Sequence, residues 1–215
     1  MLSIITPENR DDNKILLQDV FRLRKKVFAD QLKWEVPVKG DLEFDLYDDL
    51  DCVYLATQCP TTGRVSGALR LMPTTGPHLM RDVFAHWFDD PIVLESSTIW
   101  EVTRFCIDPD FQKGPYSPRG LNLVSSQLLV GLAEISLRAG LTQVTGLCHR
   151  AMINVLKRTR WAPEIIAVSK VPQTGPVYLG LWDVNADVVT TLKTASGLGS
   201  QIGPQTDLSV APLAA

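Results

Sequence analysis

Between Lys14 and Asp30 apolar residues return at Ile15, Leu16, Val20, Leu23 and Val27, the spacing of one helical face, which predicts a helix over about 14–30. Arg24 and Phe28 lie four apart on it and so share a face. Ahead of it Met1–Thr6 alternates weakly, as a first strand would. From Lys33 to Asp51 the pattern dissolves into a polar loop holding Trp34, Pro37, Gly40, Glu43, Asp45, Asp48, Asp49 and Asp51. Structureless loops of that length are uncommon in compact domains unless they carry function. Cys52–Thr57 and Val65–Met72 then read as two strands of a hairpin around the Pro60–Gly63 turn, with Arg70 near the end of the second.

Pro73 and Pro77 precede a short helix over about Leu79–Phe88, whose apolar side is Met80, Val83, Phe84 and Trp87. Ser96–Ile107 is a strand and Asp108–Arg119 a loop. Leu121, Val124, Leu128, Leu132 and Ile135 mark an amphipathic helix ended by Gly140. A strand over 141–148, a helix over about 149–160, strands near 164–169 and 177–183, and a helix from the N-cap Asn185 to about Ala195 complete the order. A hairpin start followed by alternating strands and helices predicts an α/β fold, a mixed twisted sheet with helices on both faces. Residues 1–194 are expected to form one domain. The Gly-, Ser-, Pro- and Ala-rich 195–215 is expected to be a tail, loose or lying over the surface.

One strand stands out. Ile99–Ile107 is a β-rich apolar run that nonetheless carries Glu101 and Arg104, and buried charges cost several kcal/mol unless paired. Strict alternation puts the two on opposite faces, whereas a β-bulge between them brings both to one cleft. The competing reading is an edge strand with both charges solvated.

Composition narrows the setting. The chain has 215 residues, 45% hydrophobic and 21% charged, enough for one sizeable core. A net charge of -3 argues against general nucleic-acid binding. No apolar run approaches a membrane span, and the first residues lack the long apolar core expected of a signal peptide. Cys52, Cys59, Cys106 and Cys148 are widely spaced and read as free thiols of a reducing cytoplasm. A cytoplasmic monomer without membrane or nucleic-acid partners is expected.

Arg24-x3-Phe28-x5-Trp34, the acidic loop Glu43-Phe-Asp45-Leu-Tyr-Asp48 with its Asp-x-x-Asp pair, Arg70 on its strand, and Glu101-x-x-Arg104 form an ordered set within roughly the first half of the chain. The set resembles the acyl-homoserine lactone synthases, the LuxI-type autoinducer synthases of bacterial quorum sensing. Met152-x4-Lys157-Arg158-x2-Trp161 matches that family more loosely. The resemblance implies a fold related to the N-acetyltransferases and a two-part reaction. An acyl group passes from a carrier-protein or coenzyme A thioester to the amine of S-adenosylmethionine, and the product closes to a lactone with loss of methylthioadenosine. Both small molecules are substrates; no cofactor or metal is expected. The family associates a threonine on the strand before the second long helix with 3-oxo acyl chains, and here that position reads Gly146 with Thr145 beside it.

The residue chemistry agrees with such a reaction. A neutral amine nucleophile needs a carboxylate to take its proton, and Glu101 in its apolar strand is the candidate base, its pKa raised by burial. Asp45 and Asp48 offer charge to a sulfonium and an ammonium, while Phe28 and Trp34 offer π faces. Arg24, Arg70 and Arg104 can hold the acidic side chains, and one of them can bind the substrate carboxylate. Met80, Phe84, Trp100, Phe105, Leu123, Leu147 and Met152 are candidates to line an acyl tunnel, although such residues are core in most folds. Arg150, Lys157 and Arg158, with Arg160 and no acid between His149 and Arg160, offer a docking face for a carrier protein or a coenzyme A phosphate, or are simply a solvated helix face.

Other readings remain. An acetyl-CoA-dependent N-acetyltransferase would have the same element order, but its pyrophosphate turn is replaced here by Gln112-Lys-Gly-Pro-Tyr-Ser-Pro-Arg-Gly120, in which Pro115 and Pro118 remove backbone donors. A non-catalytic module with a solvated acidic loop would also fit. A metal site at Glu43, Asp45, Asp48 and Asp49 lacks the glycine and regularity of a calcium loop.

Overall fold

The computed structural model describes residues 1–90, 92–169 and 175–201. Its nine strands are β1 (Leu2–Ile5), β2 (Val38–Lys39), β3 (Leu42–Glu43), β4 (Val53–Gln58), β5 (Val65–Pro73), β6 (Ile99–Ile107), β7 (Gln143–His149), β8 (Glu164–Val168) and β9 (Val177–Asp183). The α-helices are α1 (Lys14–Arg24), α2 (Leu123–Arg138), α3 (Arg150–Thr159) and α4 (Ala186–Ser196). Seven strands form one sheet in the order β1-β4-β5-β6-β7-β9-β8, and β2 and β3 pair apart from it. The mixed sheet with helices on both faces is as expected.

α1 covers one face, burying Leu17, Val20, Phe21 and Leu23, with Val27 and Phe28 of its continuation, against Tyr54, Ala56, Ala68 and Met72. Ile15 is 78% exposed, so the apolar stripe begins two residues later than its first isoleucine suggests. Past Arg24 the helix widens into a π-helical stretch over Lys25–Gln31. α2, α3 and α4 cover the other face over a core of Leu55, Leu69, Trp100, Leu128, Leu132, Leu156 and Trp182. The expected tail starts inside α4, whose last residue is Ser196; Ser200 and Gln201 then bond to Glu134 of α2. Residues 202–215 of that tail lie outside the described residues.

Two irregularities of β6 shape the centre. Toward β5 the register passes from Ala68↔Cys106 to Arg70↔Thr103, so β6 carries one extra residue, and Arg104 takes up the difference at φ 55°. A left-handed non-glycine residue costs on the order of 1 kcal/mol and persists only where its surroundings hold it. Toward β7, the one parallel neighbour, pairing covers only Ile99–Glu101 against Gln143–Thr145. β6 continues to Ile107 and β7 to His149 without pairing, so the sheet opens between their carboxyl ends. In open α/β sheets that is where ligands bind.

Candidate active site

The bulge decides the question posed by the charged strand. Glu101 and Thr103 face α1 by alternation, and the extra residue turns Arg104 to the same side, where its guanidinium meets the acidic loop. β6 is a central strand, and neither charge is solvated: Glu101 is 1% exposed, and the Arg104 side chain 11%.

The loop is ordered by those charges. β2 and β3 fold it into a small hairpin, and a 3₁₀ turn over Leu46–Asp49 follows, capped by Asp45, whose carboxylate accepts the Tyr47 amide. Arg24 donates to Glu43 and forks onto both oxygens of Asp48 at 2.7 and 2.8 Å. Arg70 spans Asp45 at 2.6 and 3.0 Å, Asp48 at 2.6 Å and the Thr103 hydroxyl at 3.0 Å. Arg104 reaches Glu43 at 3.1 Å through Nε and Asp45 at 2.8 Å through Nη2. The Tyr54 hydroxyl donates to Asp48 at 2.8 Å. Three guanidiniums and three carboxylates thus neutralise one another in the interior. Burial alone would push the Asp48 carboxyl up, but Arg24 and Arg70 hold it well below the usual carboxylate range.

This arrangement assigns Asp45 and Asp48 to the arginines first, at 6% and 2% exposure. Glu43, wholly buried and held by Arg24 and Arg104, is a third carboxylate of the network; the sequence placed it in the acidic loop and offered it a role only in a weak metal site. The available signal was its two-residue spacing from Asp45, which in extended chain places both on one side.

Beside the network lies an aromatic pair. Trp34 is 43% exposed and stacks on Phe28 at 5.2 Å between centroids, with rings 22° apart. The Arg104 guanidinium sits 5.6 Å from the centre of the Phe28 ring. Phe28 belongs to the π-helical stretch that starts directly after Arg24, so one helix end supplies both a network cation and the aromatic platform.

Glu101 has a different environment. Its Oε1 accepts the Met80 amide at 3.0 Å, and the neighbouring Leu79 amide also favours the charged carboxylate. Its Oε2 is buried without a partner among the described residues. Burial, only partly offset by those amides and by Arg70, pushes the carboxyl up to about 7. Such a group exchanges a proton near neutral pH. Its register partner on β7 is Thr145, whose hydroxyl is spent on the Gly180 carbonyl at 2.9 Å.

The seven expected acyl-lining residues do not share one face. Met80 and Phe84 stand over the α1 side, and Leu147, two beyond Thr145, points there as well. Trp100, Phe105 and Met152 pack on the α2 side, and Leu123 opens α2 itself. A single tunnel touching all of them has to pass through the opening between β6 and β7. On the α2 side Val102 and Phe105 of β6, Cys148 of β7 and Met152 of α3 are only partly buried.

α3 begins where β7 ends. Arg150, Lys157 and Arg158 are exposed, and Arg150 also bonds the Tyr178 hydroxyl at 2.6 Å. The α2 N-terminus, where an acetyltransferase cradles pyrophosphate, is already occupied. The Leu123 amide bonds to Pro115 and those of Val124 and Ser125 to the Asn122 side chain. Among the described residues no three His, Cys, Asp or Glu side chains are placed to hold a metal ion, and no helix is long and apolar enough to cross a membrane.

A mixed sheet opened between its two parallel strands, with a buried carboxylate at the branch point, frames the site. An acyl-CoA N-acyltransferase from Pseudomonas aeruginosa shares the fold, with TM-score 0.54 at 14% identity over 86% of this chain and 100% of its own. Residues 8–192 match the autoinducer synthase family, and the chain belongs to it. An acyl-homoserine-lactone synthase of Rhizobium etli is 40% identical over 194 residues, 90% of this chain and 89% of the relative. Among solved structures, the CoA-dependent acyl-homoserine lactone synthase MesI overlays with TM-score 0.79 at 25% identity, covering 93% of this chain and 97% of its own.

Proposed function

We propose that this member of the family acylates the amine of S-adenosylmethionine from an acyl thioester and closes the product to an acyl-homoserine lactone, with Glu101 as the base. The observation that carries the residue assignment is the Glu101 carboxylate: buried, anchored through one oxygen, free at the other, and titrating near neutrality. The substrate ammonium gives a proton to Oε2, directly or through water, and the amine attacks the thioester carbonyl; the carbon–sulfur bond breaks, and the leaving thiolate takes the second proton from the nitrogen. The substrate carboxylate then attacks the carbon bound to sulfur, and methylthioadenosine departs. Both reactants are consumed, so the reaction as written needs no cofactor.

Trp34, whose exposed ring stacks on Phe28, faces the sulfonium. Arg104 takes the substrate carboxylate, since none of its contacts with Glu43 and Asp45 uses Nη1. Arg24, Arg70, Asp45 and Asp48 keep these groups in place as a rigid neutral frame. The acyl chain runs through the opening between β6 and β7, and the exposed cations of α3 receive the acidic donor, carrier protein or coenzyme A. The filled α2 N-terminus supports this over an acetyltransferase's pyrophosphate cradle.

The test is incubation of the purified protein with S-adenosylmethionine and a chain-length series of thioesters on coenzyme A and on carrier protein, with mass spectrometry of the products. Acyl-homoserine lactone and methylthioadenosine should appear together, and Glu101→Gln should lower acyl transfer by about 10²–10⁴-fold, the range of general base catalysis. Near-normal turnover of the variant removes Glu101 as the base.

A further inference from the structure

We propose that Asp82 is a positioning residue for Glu101: its carboxylate locks the turn whose Met80 amide holds the base. The inference rests on the reading of Glu101 as base. The turn runs from His78 into the π-helical Met80–Phe84 and is closed in both directions. The Asp82 amide donates to the His78 carbonyl at 3.0 Å, and Asp82 Oδ2 accepts the His78 amide at 3.1 Å. Between these two closures lies the Met80 amide that bonds to Glu101, with the Leu79 amide beside it. Asp82 Oδ2 also accepts the Tyr47 hydroxyl at 3.4 Å, which ties the turn to the acidic loop, and Arg81 holds Oδ1 at 2.8 Å. His78 is buried, its Nδ1 on the Gly76 carbonyl at 2.9 Å, so the turn has little freedom elsewhere. Glu101 shares no hydrogen bond with any of these side chains. Its geometry depends on Asp82 through the backbone alone.

Asp82 acts on Glu101 in two opposing ways. Its negative charge disfavours ionisation of Glu101, while the amides it positions favour it. The other charged and titratable groups facing this space are Arg70 from β5, which favours the carboxylate, and Tyr47, whose hydroxyl is pushed up to about 12 by burial and by Asp82. Asp82→Asn and Asp82→Ala both remove the charge, but only asparagine keeps an acceptor for the His78 amide. Their difference isolates the lock.

The experiment is the pH dependence of kcat/KM for S-adenosylmethionine at saturating acyl thioester, for wild type and both variants, with melting curves to confirm folding. The acid limb of Asp82→Ala should lie about one pH unit above that of Asp82→Asn, an approximately tenfold lower kcat/KM at pH 6. Coincident limbs overturn the proposal, because a merely structural loss lowers the plateau without moving the limb. Should Asp82→Ala not fold, Tyr47→Phe removes only the bond to Asp82: a limb above wild type supports the proposal, and an unmoved one counts against it. Full activity of Glu101→Gln in the same assay would instead overturn the reading of the base, whatever the Asp82 variants do.

Discussion

At the scale of single residues the decisive quantity is the cost of charge in the interior. Glu101 has burial without a counter-ion in contact, so its carboxyl rises from the ordinary 4.5 to about 7. The folded chain therefore keeps a proton that the unfolded chain has released above pH 4.5. The resulting stabilisation is complete below pH 4.5 and is lost as pH rises through 7. Glu101→Gln removes that loss and should be more stable than wild type at pH 8, by up to about 3 kcal/mol, the worth of such a shift. Denaturant titration at pH 5 and pH 8 checks this: the gap should shrink toward pH 5, and equal stabilities at pH 8 would show that the carboxylate is not buried when ionised. Glu101 was legible as a candidate because a carboxylate in an apolar run is improbable without a task. Asp82 was not, since one aspartate in a short amphipathic helix looks like a solvated cap until Tyr47 and the His78 amide are seen around it.

At the scale of elements the site is made by departures from regularity. The extra residue in β6 turns Arg104 toward Glu43 and Asp45, and the π-helical continuation of α1 brings Phe28 under Trp34. The opening between β6 and β7 begins where Gly146 lets the strands approach: a Cβ there would stand 2.8 Å from the Val102 carbonyl oxygen. Gly146→Ala should therefore push β7 away at the branch point and cost about 1–3 kcal/mol, the range for overpacking a close contact. A melting curve reads the loss, and an unchanged midpoint would mean that β7 yields freely. Periodicity predicted strands and helices close to their observed ends, because each presents one apolar face. It left Lys33–Asp51 as structureless loop, because β2, β3 and the 3₁₀ turn are held by ion pairs to distant arginines and by little of their own.

For the whole molecule, the six-charge network joins α1, the acidic loop, β5 and β6 on one face of the sheet. Removing one partner strands another charge, at about 3–5 kcal/mol for a buried pair. Asp48→Asn, which leaves Arg24 and Arg70 short of a carboxylate, should lose about that much at pH 7, measured by chemical denaturation. Because Asp48 titrates well below its ordinary 3.8, its contribution is present above that pH and drains away as pH falls below it. The variant's deficit should thus narrow in acid, and a constant deficit would show that Asp48 stabilises by packing alone. The order of elements, the α/β class and the charged positions were determined by the sequence, since period and composition are local properties that a chain carries unfolded. Which carboxylates are neutralised and which is left to accept a proton was decided only by tertiary structure. Desolvation and pairing depend on what arrives from elsewhere in the chain: three arginines for Glu43, Asp45 and Asp48, and the Met80 amide for Glu101.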